Sequence, residues 1–578
     1  MNNIIKISLA CALLTPLMSS CLKEFEPTSS VSQKQVNKAD KSGLVNAIPA
    51  YLNNYSSDDD YDIGFGGFNI WRDASTADLV IKSTVYDYFW RVGSCENLGA
   101  QMTPSTIYRR YYALVQKCNL VLTAIDPENK PTEESYATMA YAYRAYAYFE
   151  MAQWFEYKRT GFASLDSKAE SSGIYGLTVP IVTENTTDIE SRHNPRAPFY
   201  QMYRFILTDL NKAEKYAEGK GEPAIKTEAG LGVVYGLKAR FWLTLGTRFD
   251  TYANDLATAL GHENDEALTF DKLGVNSAKE CFELAAEYAR KAINRGYTPT
   301  TESQWFDPTT GFNSVNNAWM WADVINSDNG LAKTCTWQSW VSFLSPEATY
   351  GVCTAEYKAY RMIDSRLFEK IPNADWRKTT WIDPSDVGKE AAFNQKYARG
   401  LNIGYSTWAE FEAYCGFKFH PGGGAISTST VGNAISIPMM RVEEMYLIEA
   451  EAVGRSQGES AGRILLEQFV NTYRYNNGTY MSRSEGLEGF IDDVFTQKRI
   501  EFWGEGIVLW DYRRLEKAVT RGYEGTNWPT TYQFNSNANA VAPWSTLCIP
   551  QREITYNTEI VNNPDPSSGG SYSKWDGE

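Results

Sequence analysis

From Tyr136 to Tyr157 small residues and large aromatic ones follow each other at helical spacing: Ala140, Ala142, Ala145 and Ala147 against Tyr141, Tyr148, Phe149 and Trp154. A helix with such a surface must be packed by other helices that approach closely at the alanines and accept the rings beside them. The same period recurs elsewhere. Tyr108, Tyr111, Tyr112, Val115, Leu122 and Ile125 predict a helix from Pro104 to Ile125, stopped by Pro127. Pro198 to Glu218 and Thr227 to Thr247 predict a second pair, and Lys279 to Arg295 opens a third. Helical order returns at Pro438 to Arg455, a proline start with Glu451 and Arg455 spaced for an i,i+4 ion pair. A further helix is expected from Leu487 to Trp503, continued from Glu505 to Val519 after a break at Gly504.

Small-against-aromatic helix pairs pack in the manner of tetratricopeptide units, although the spacing here is too irregular for a strict 34-residue period. Degenerate repeats inside a larger, mostly α body are therefore expected. Between the two helical regions, Thr298 to Ile437 is rich in Trp, Asn, Gly and Ser and predicts loops with short elements, where binding residues usually sit. Trp319 and Trp321 alternate as in a strand and are expected to be structural. The stretch from Asn46 to Asn69 reads as loop: an acidic cluster, Asp58-Asp59-Asp60-Tyr61-Asp62, then Gly64-Phe65-Gly66-Gly67.

At the N-terminus Lys6 precedes an apolar run from Ile7 to Met18 that ends in Leu17-Met18-Ser19-Ser20-Cys21. That run falls short of the roughly 20 residues that span a bilayer and reads as a signal peptide. Its end resembles a bacterial lipobox, with Met18 where Leu is usual, so cleavage would leave an acylated Cys21. A plain signal peptide with an incidental cysteine is the alternative. Residues 1–20 are then the signal peptide and 21–42 the lipidated cysteine with a polar, Ser-rich linker. Residues 43–578 form one globular domain, its helix-pair scaffold mainly at 104–296 and 438–520 and its loop-rich binding region mainly at 298–437. Membrane contact would be through Cys21 alone. A net charge of −15 argues against a nucleic-acid surface.

The signatures of enzymes are missing. His193, His262 and His420 stand in unrelated contexts, and no zinc-protease, nucleophile-elbow or phosphate-loop motif is present. Gly422-Gly423-Gly424 lacks the following Lys-Ser/Thr and reads as a turn. Neither catalytic residue nor cofactor is assigned. The acidic cluster could hold Ca²⁺, yet lacks EF-hand spacing and reads as solvated loop. Cys95, Cys118, Cys281, Cys335, Cys353, Cys415 and Cys548 show no metal spacing and are expected as buried thiols, with Cys335–Cys353 a conceivable disulfide.

Phe, Trp and Tyr make up 14% of the chain, more than a core of this size usually needs, so some rings are expected in a cleft. A flat ring stacks on the C–H face of a sugar, while a carboxylate, amide or guanidinium takes its hydroxyls. The candidates lie in the two least helical windows. Trp71, Tyr86, Tyr88 and Trp90 surround Asp73 and Asp78, and Trp337, Trp340 and Tyr350 sit in the Gly/Ser-rich middle. Arg72, Asn97 and Gln338 are their polar companions. Trp71, Asp73, Tyr86, Trp90, Trp337, Trp340 and Tyr350 are taken as the ligand-binding set, each open to the alternative of plain core packing.

Arg441-Val-Glu-Glu444-Met-Tyr-Leu447-Ile-Glu-Ala450-Glu451-Ala452, Gln497-Lys-Arg499-Ile-Glu501-Phe502-Trp-Gly-Glu505-Gly506 and Trp510-Asp511-Tyr-Arg513-Arg514 follow one another near the C-terminal side. Ile549-Pro550-Gln-Arg-Glu553, Asn557 and Asn562-Asn563-Pro564 come after them. Earlier stand Asn119, Arg144-Ala145, Val179-Pro180, Arg196-Ala-Pro198, Asp209-Leu210 and Lys238-Ala239-Arg240. In this order, and with the lipobox, nearly the whole mature chain resembles the SusD/RagB family of outer-membrane nutrient-binding lipoproteins of Bacteroidetes. Val508 departs from it, since Arg is common there. Arg499, Glu501, Glu505 and Asp511 are expected to join helices through Arg–carboxylate pairs rather than to act as a catalytic acid and base.

The resemblance implies a mostly α, SusD-like fold: tetratricopeptide-like helix pairs plus a loop-rich ligand-binding half. It also implies an outer-membrane lipoprotein facing the cell surface, with Glu24 and Glu26 behind Cys21 similar to the family's export signal. The implied partner is a SusC-like TonB-dependent transporter, to which the protein delivers captured glycan. A peptide cargo, or an adaptor lipoprotein that binds no sugar, are the alternatives.

Overall fold

The computed structural model describes residues 40–56, 62–82, 87, 89–95, 98–100, 104–333, 338–567 and 572–577. Cys21, Asp58 to Asp60, Tyr86, Tyr88, Asn97, Cys335 and Trp337 lie outside the described residues. The main helices are α1 (Lys41–Ala50), α2 (Phe65–Ala74), α3 (Pro104–Ala124), α4 (Glu134–Phe155), α5 (Phe199–Ala217), α6 (Leu231–Thr251), α7 (Ala278–Ile293), α8 (Val442–Gln457), α9 (Glu459–Tyr473), α10 (Gly486–Glu501) and α11 (Val508–Arg514). The strands that matter are β1 (Leu79–Ile81), β2 (Trp319–Val324), β3 (Arg361–Ile363) and β4 (Ser436–Arg441).

From α3 to α9 each helix packs on the next in sequence, so the scaffold is one continuous series, with the loop-rich 298–437 region inserted between α7 and α8. In α4 every residue from Ala137 to Phe155 except Tyr141 is buried. A helix apolar all round belongs inside a core, and the alternation of small residues and rings is what allows it to be covered on all sides. Among the described residues no helix is long and apolar enough to cross a membrane.

Two expectations fail near the N-terminus. The linker ends earlier than predicted, because Asp40 caps α1 by accepting from the Ser42 amide at 3.1 Å. The glycine-rich stretch read as loop is the buried helix α2. Gly64 starts it with φ of 77°. At Gly66 a Cβ would stand 2.7 Å from Ile437 Cδ1 and 3.1 Å from Trp340 Cδ1, so this glycine marks close approach rather than a turn.

Near the second helical region Pro438 lies in a strand instead of starting a helix. β4 pairs antiparallel with β2, Pro438 facing Ala322, with register shifts between Trp319 and Ala322. Bulged two-stranded pairing tolerates a residue that donates no hydrogen bond. Trp319 and Trp321 are fully buried in β2, as their alternation predicts. α9 was not expected; Gly458, at φ of 107°, divides it from α8. α11 is shorter than Glu505–Val519, because Gly504 and Gly506 at φ of 81° and 78° hold Glu505 in a turn.

The segment 74–78 is completed from the far end of the chain. Arg521 donates to the carbonyls of Ala74 and Thr76 at 2.7 and 3.0 Å. Trp544 Nε1 reaches Ser75 O at 2.9 Å, and Trp503 Nε1 reaches Asp78 O at 3.0 Å. Arg499 and Tyr512 both donate to the Asp78 carboxylate. Of the expected buried thiols, Cys95, Cys118, Cys281, Cys353, Cys415 and Cys548 are buried, and the last five of these are unbridged. Burial pushes Cys353 up to about 11 and Cys281 and Cys548 to about 12.

Candidate functional site

The frame beneath the loop-rich region is a buried ionic cluster. Glu501, at the end of α10, accepts from Arg377 at 2.8 Å, Arg441 at 3.1 Å and Arg474 at 2.8 and 2.9 Å. Arg441 also reaches Glu505 at 2.8 and 2.9 Å, and Lys418 donates to the same carboxylate at 2.6 Å. Burial by itself pushes the Glu501 carboxyl up. The guanidinium groups of Arg474, Arg441 and Arg377 outweigh it and hold the group well below the usual carboxylate range. With their oxygens taken up by cations and 0% and 3% exposed, Glu501 and Glu505 have no solvent path for acid–base work. The expected i,i+4 pair of Arg455 with Glu451 forms at 3.1 Å, and Arg514 and Lys498 tie Asp511 to α10 and α11.

On this frame the two windows picked out by their aromatics meet. Phe89 and Phe343 pack edge to face with ring centres 5.0 Å apart, joining the turn Trp90–Gly93 to the short helix Trp340–Leu344. Asp87 pins the first window to β3 through Arg361 at 2.6 and 3.0 Å, a pair fully out of water. Ser339 donates to Asn433 Oδ1 at 2.7 Å, and next to it Gly432 leaves room for the Tyr350 hydroxyl, which a Cβ would approach to 2.0 Å. The Tyr350 hydroxyl has no hydrogen-bond partner among the described residues, and burial raises its pKa. Trp90, Gln338 and Tyr350, in these two segments, are half-buried.

Three candidates are corrected. Trp71 is 1% and Trp340 2% exposed; Trp340 packs on Gly66 and, with ring centres 4.6 Å apart, on Phe419. Neither ring offers a face to a ligand. Asp73, 2% exposed, accepts from the Gly506 amide at 2.9 Å, and burial lifts its carboxyl well above the ordinary range. Its companion Arg72 is buried against Glu150 and Asn69. Tyr86 and Trp337 lie outside the described residues. Asp62 of the acidic cluster is buried against Arg110, which donates to it at 2.9 and 3.1 Å. Among the described residues no group of three or more His, Cys, Asp or Glu could hold a metal ion.

Sequence reading missed a cleft of about 620 Å³ between the end of α4 and the end of α6, lined by Tyr157, Lys158, Tyr175, Phe199, Tyr200 and Tyr252. The available signal was the run Glu156-Tyr157-Lys158-Arg159 just past a helix end.

Residues 32–243 match a family described as starch-binding, associating with the outer membrane, and residues 282–565 match the SusD family. None of the curated proteins matches the chain. Solved structures share the fold at low identity. A SusD-like carbohydrate binding protein from Bacteroides vulgatus is 19% identical, with a TM-score of 0.64 over 90% of this chain and 96% of that one. A SusD superfamily protein from Parabacteroides distasonis is 14% identical, with a TM-score of 0.61 over 92% and 99%. Surface glycan-binding protein A from Bacteroides thetaiotaomicron, in complex with laminarihexaose, is 16% identical, with a TM-score of 0.58 over 90% and 98%.

Proposed function

The chain belongs to the SusD family, and from that premise we propose that it is a cell-surface glycan-binding lipoprotein. In this reading it is tethered to the outer membrane through an acylated Cys21 and passes captured oligo- or polysaccharide to a SusC-like TonB-dependent transporter. The observation that carries the binding role is the meeting of the 87–95 and 338–357 segments at the Phe89–Phe343 contact. Half-buried Trp90 and Gln338 stand in the two segments so joined, and half-buried Tyr350 follows in the second of them. Rings and an amide held in place lose little freedom when a sugar docks, which favours saturable binding without a deep pocket. The relative that holds laminarihexaose supports the choice of glycan over peptide.

The test is calorimetric titration of the full chain in detergent against neutral glycans and, separately, peptides. Binding of one glycan, weakened at least tenfold by Trp90→Ala at unchanged melting temperature and weakened also by Tyr350→Ala, is expected. Binding of peptides but of no glycan would transfer the reading to peptide capture, and binding of neither would leave an adaptor. For the anchor, Cys21→Ala should keep glycan binding and lose uptake; normal uptake by the released protein would refute the tethered mechanism.

A further inference from the structure

The cleft between the ends of α4 and α6 shares no residue with the Trp90–Tyr350 face. At about 620 Å³ it falls in the size range of small-ligand sites, roughly 300–1,000 Å³. Its rings are fixed in advance. Tyr200 stacks on His262 with centres 4.1 Å apart and planes within 3°. Tyr175 meets Tyr157 edge to face at 5.6 Å, and the Tyr157 hydroxyl is tied to Asp166 at 2.7 Å. Tyr252 donates its hydroxyl proton to Glu516. Phe199 is brought into the wall by its amide, which donates to Gly176 O at 2.7 Å, and Gly176 has φ of 75°.

Charge distinguishes this cleft from the rest of a chain of net charge −15. Arg248 in its wall is neutralised by Glu156 at 2.6 Å and Asp255 at 2.8 Å. Lys158 and Arg159 are not. Among the described residues neither forms an ion pair or a side-chain hydrogen bond; Arg159 lies over the Tyr175 ring at 4.8 Å and Lys158 near the Tyr252 ring at 5.9 Å. Lys158 is half-buried; desolvation, aided by Arg248 and Arg513 and opposed by Glu156 and Glu516, brings its ammonium down to about 8. A cation kept partly dry beside aromatic rings, with no carboxylate of its own, is a receptor for an anion that carries a flat apolar face.

We propose that this cleft is a second carbohydrate subsite that takes an acidic sugar, a uronate whose carboxylate pairs with Lys158 and Arg159 while its ring lies against Tyr175 and Tyr252. The inference rests on the reading of the protein as a glycan binder and names a substrate class for it. Pairing with a carboxylate favours the charged ammonium, so uronate binding at pH 8 should take up a proton through Lys158.

The experiment titrates the full chain in detergent with trimers of galacturonate, glucuronate and mannuronate, each beside its methyl ester, and with triglutamate as acidic peptide. At least one uronate trimer should bind, with its ester at least tenfold weaker. Lys158→Met and Arg159→Met should each weaken the acid at least tenfold. Since Lys158 has no ionic partner to lose, its variant should melt within a few degrees of the wild type. Proton uptake, read in buffers of different ionisation enthalpy, should vanish in Lys158→Met. Equal binding of acid and ester, undiminished binding in both variants, no uronate bound, or triglutamate bound as tightly as the sugar would each overturn the proposal. Neutral glycan binding that depends on Trp90 and Tyr350 reports separately on the parent reading: its survival alongside uronate failure removes this subsite alone.

Discussion

Lys418 Nζ lies 2.6 Å from Glu505 Oε1 with both side chains sealed from solvent, and it also donates to the carbonyls of Glu501 at 2.8 Å and Trp503 at 2.9 Å. One ammonium thereby closes the turn after α10. Burial brings it down to about 8, with Glu505 opposing, so it remains charged at neutral pH. Lys418→Met leaves two buried carbonyls short of a donor and removes a counter-charge from Glu505, which Arg441 still holds. A loss of about 3 kcal/mol is expected in urea unfolding. A loss below about 1 kcal/mol would show that Arg441 alone suffices.

Asp323 faces the interior with Oδ1 unpaired among the described residues, and desolvation raises its carboxyl to about 7 against the opposing contributions of Asn53 and the Val324 backbone. Unfolded, the group ionises near 3.8; folded, it keeps its proton to about 7. Between those values the folded state binds more protons, so stability falls as pH rises through this window and levels off above it. Asp323→Asn cannot ionise. Relative to the variant, the wild type should lose on the order of 4 kcal/mol between pH 4 and 8, and unfolding curves that run parallel with pH would contradict the assignment.

Trp340 is core, whereas half-buried Trp90 is the proposed ligand ring. Trp340→Ala opens a cavity in the core and should cost about 3–5 kcal/mol, lowering the melting temperature while the folded protein still binds glycan within severalfold. Trp90→Ala should lower binding with little change in melting. A reversed pattern in the paired thermal and binding measurements would move the ligand face elsewhere.

Gly506 combines φ of 78° with contact against the backbone of α2, where a Cβ would stand 2.5 Å from Asn69 Cα. Its amide also serves Asp73. Gly506→Ala incurs left-handed strain and overpacking together and should destabilise by at least about 2 kcal/mol, whereas Gly525→Ala, equally left-handed but with open space around it, should show the strain alone. Equal chemical-denaturation midpoints for the two variants would refute the packing argument.

The scaffold was legible because α3, α5 and α7 carry apolar residues at three and four, and α4 alternates small residues with rings at helical spacing. The bounds of α2 and β4 were not. Gly66 and Pro438 carry local signals that point to loop and helix start, while the tertiary facts that override them, contact with Trp340 and pairing with β2, are invisible locally. The family blocks located Glu501 and Glu505 as architecture, and the buried cluster agrees; Arg441 as their shared partner came only from the structure. The ligand set was read least well. Surplus aromatics suggested exposure, yet eleven of the 16 tryptophans among the described residues are fully buried, Trp71 and Trp340 among them. Composition counts rings and says nothing of which are covered. The Tyr175–Tyr252 cleft escaped because its wall comes from four separated segments, and only the run Glu156 to Arg159 carries a local signal.

The strip from Ala74 to Asp78 sets a timetable for the growing polypeptide. Its carbonyls are made early, but Trp544, the donor for Ser75, comes 469 positions later. Until then the buried place of this strip cannot form without leaving its carbonyls short of donors, so a release even a few dozen residues short of the end should yield no native N-terminal portion. Evolution can lengthen this chain in its loops far more easily than it can shorten its tail.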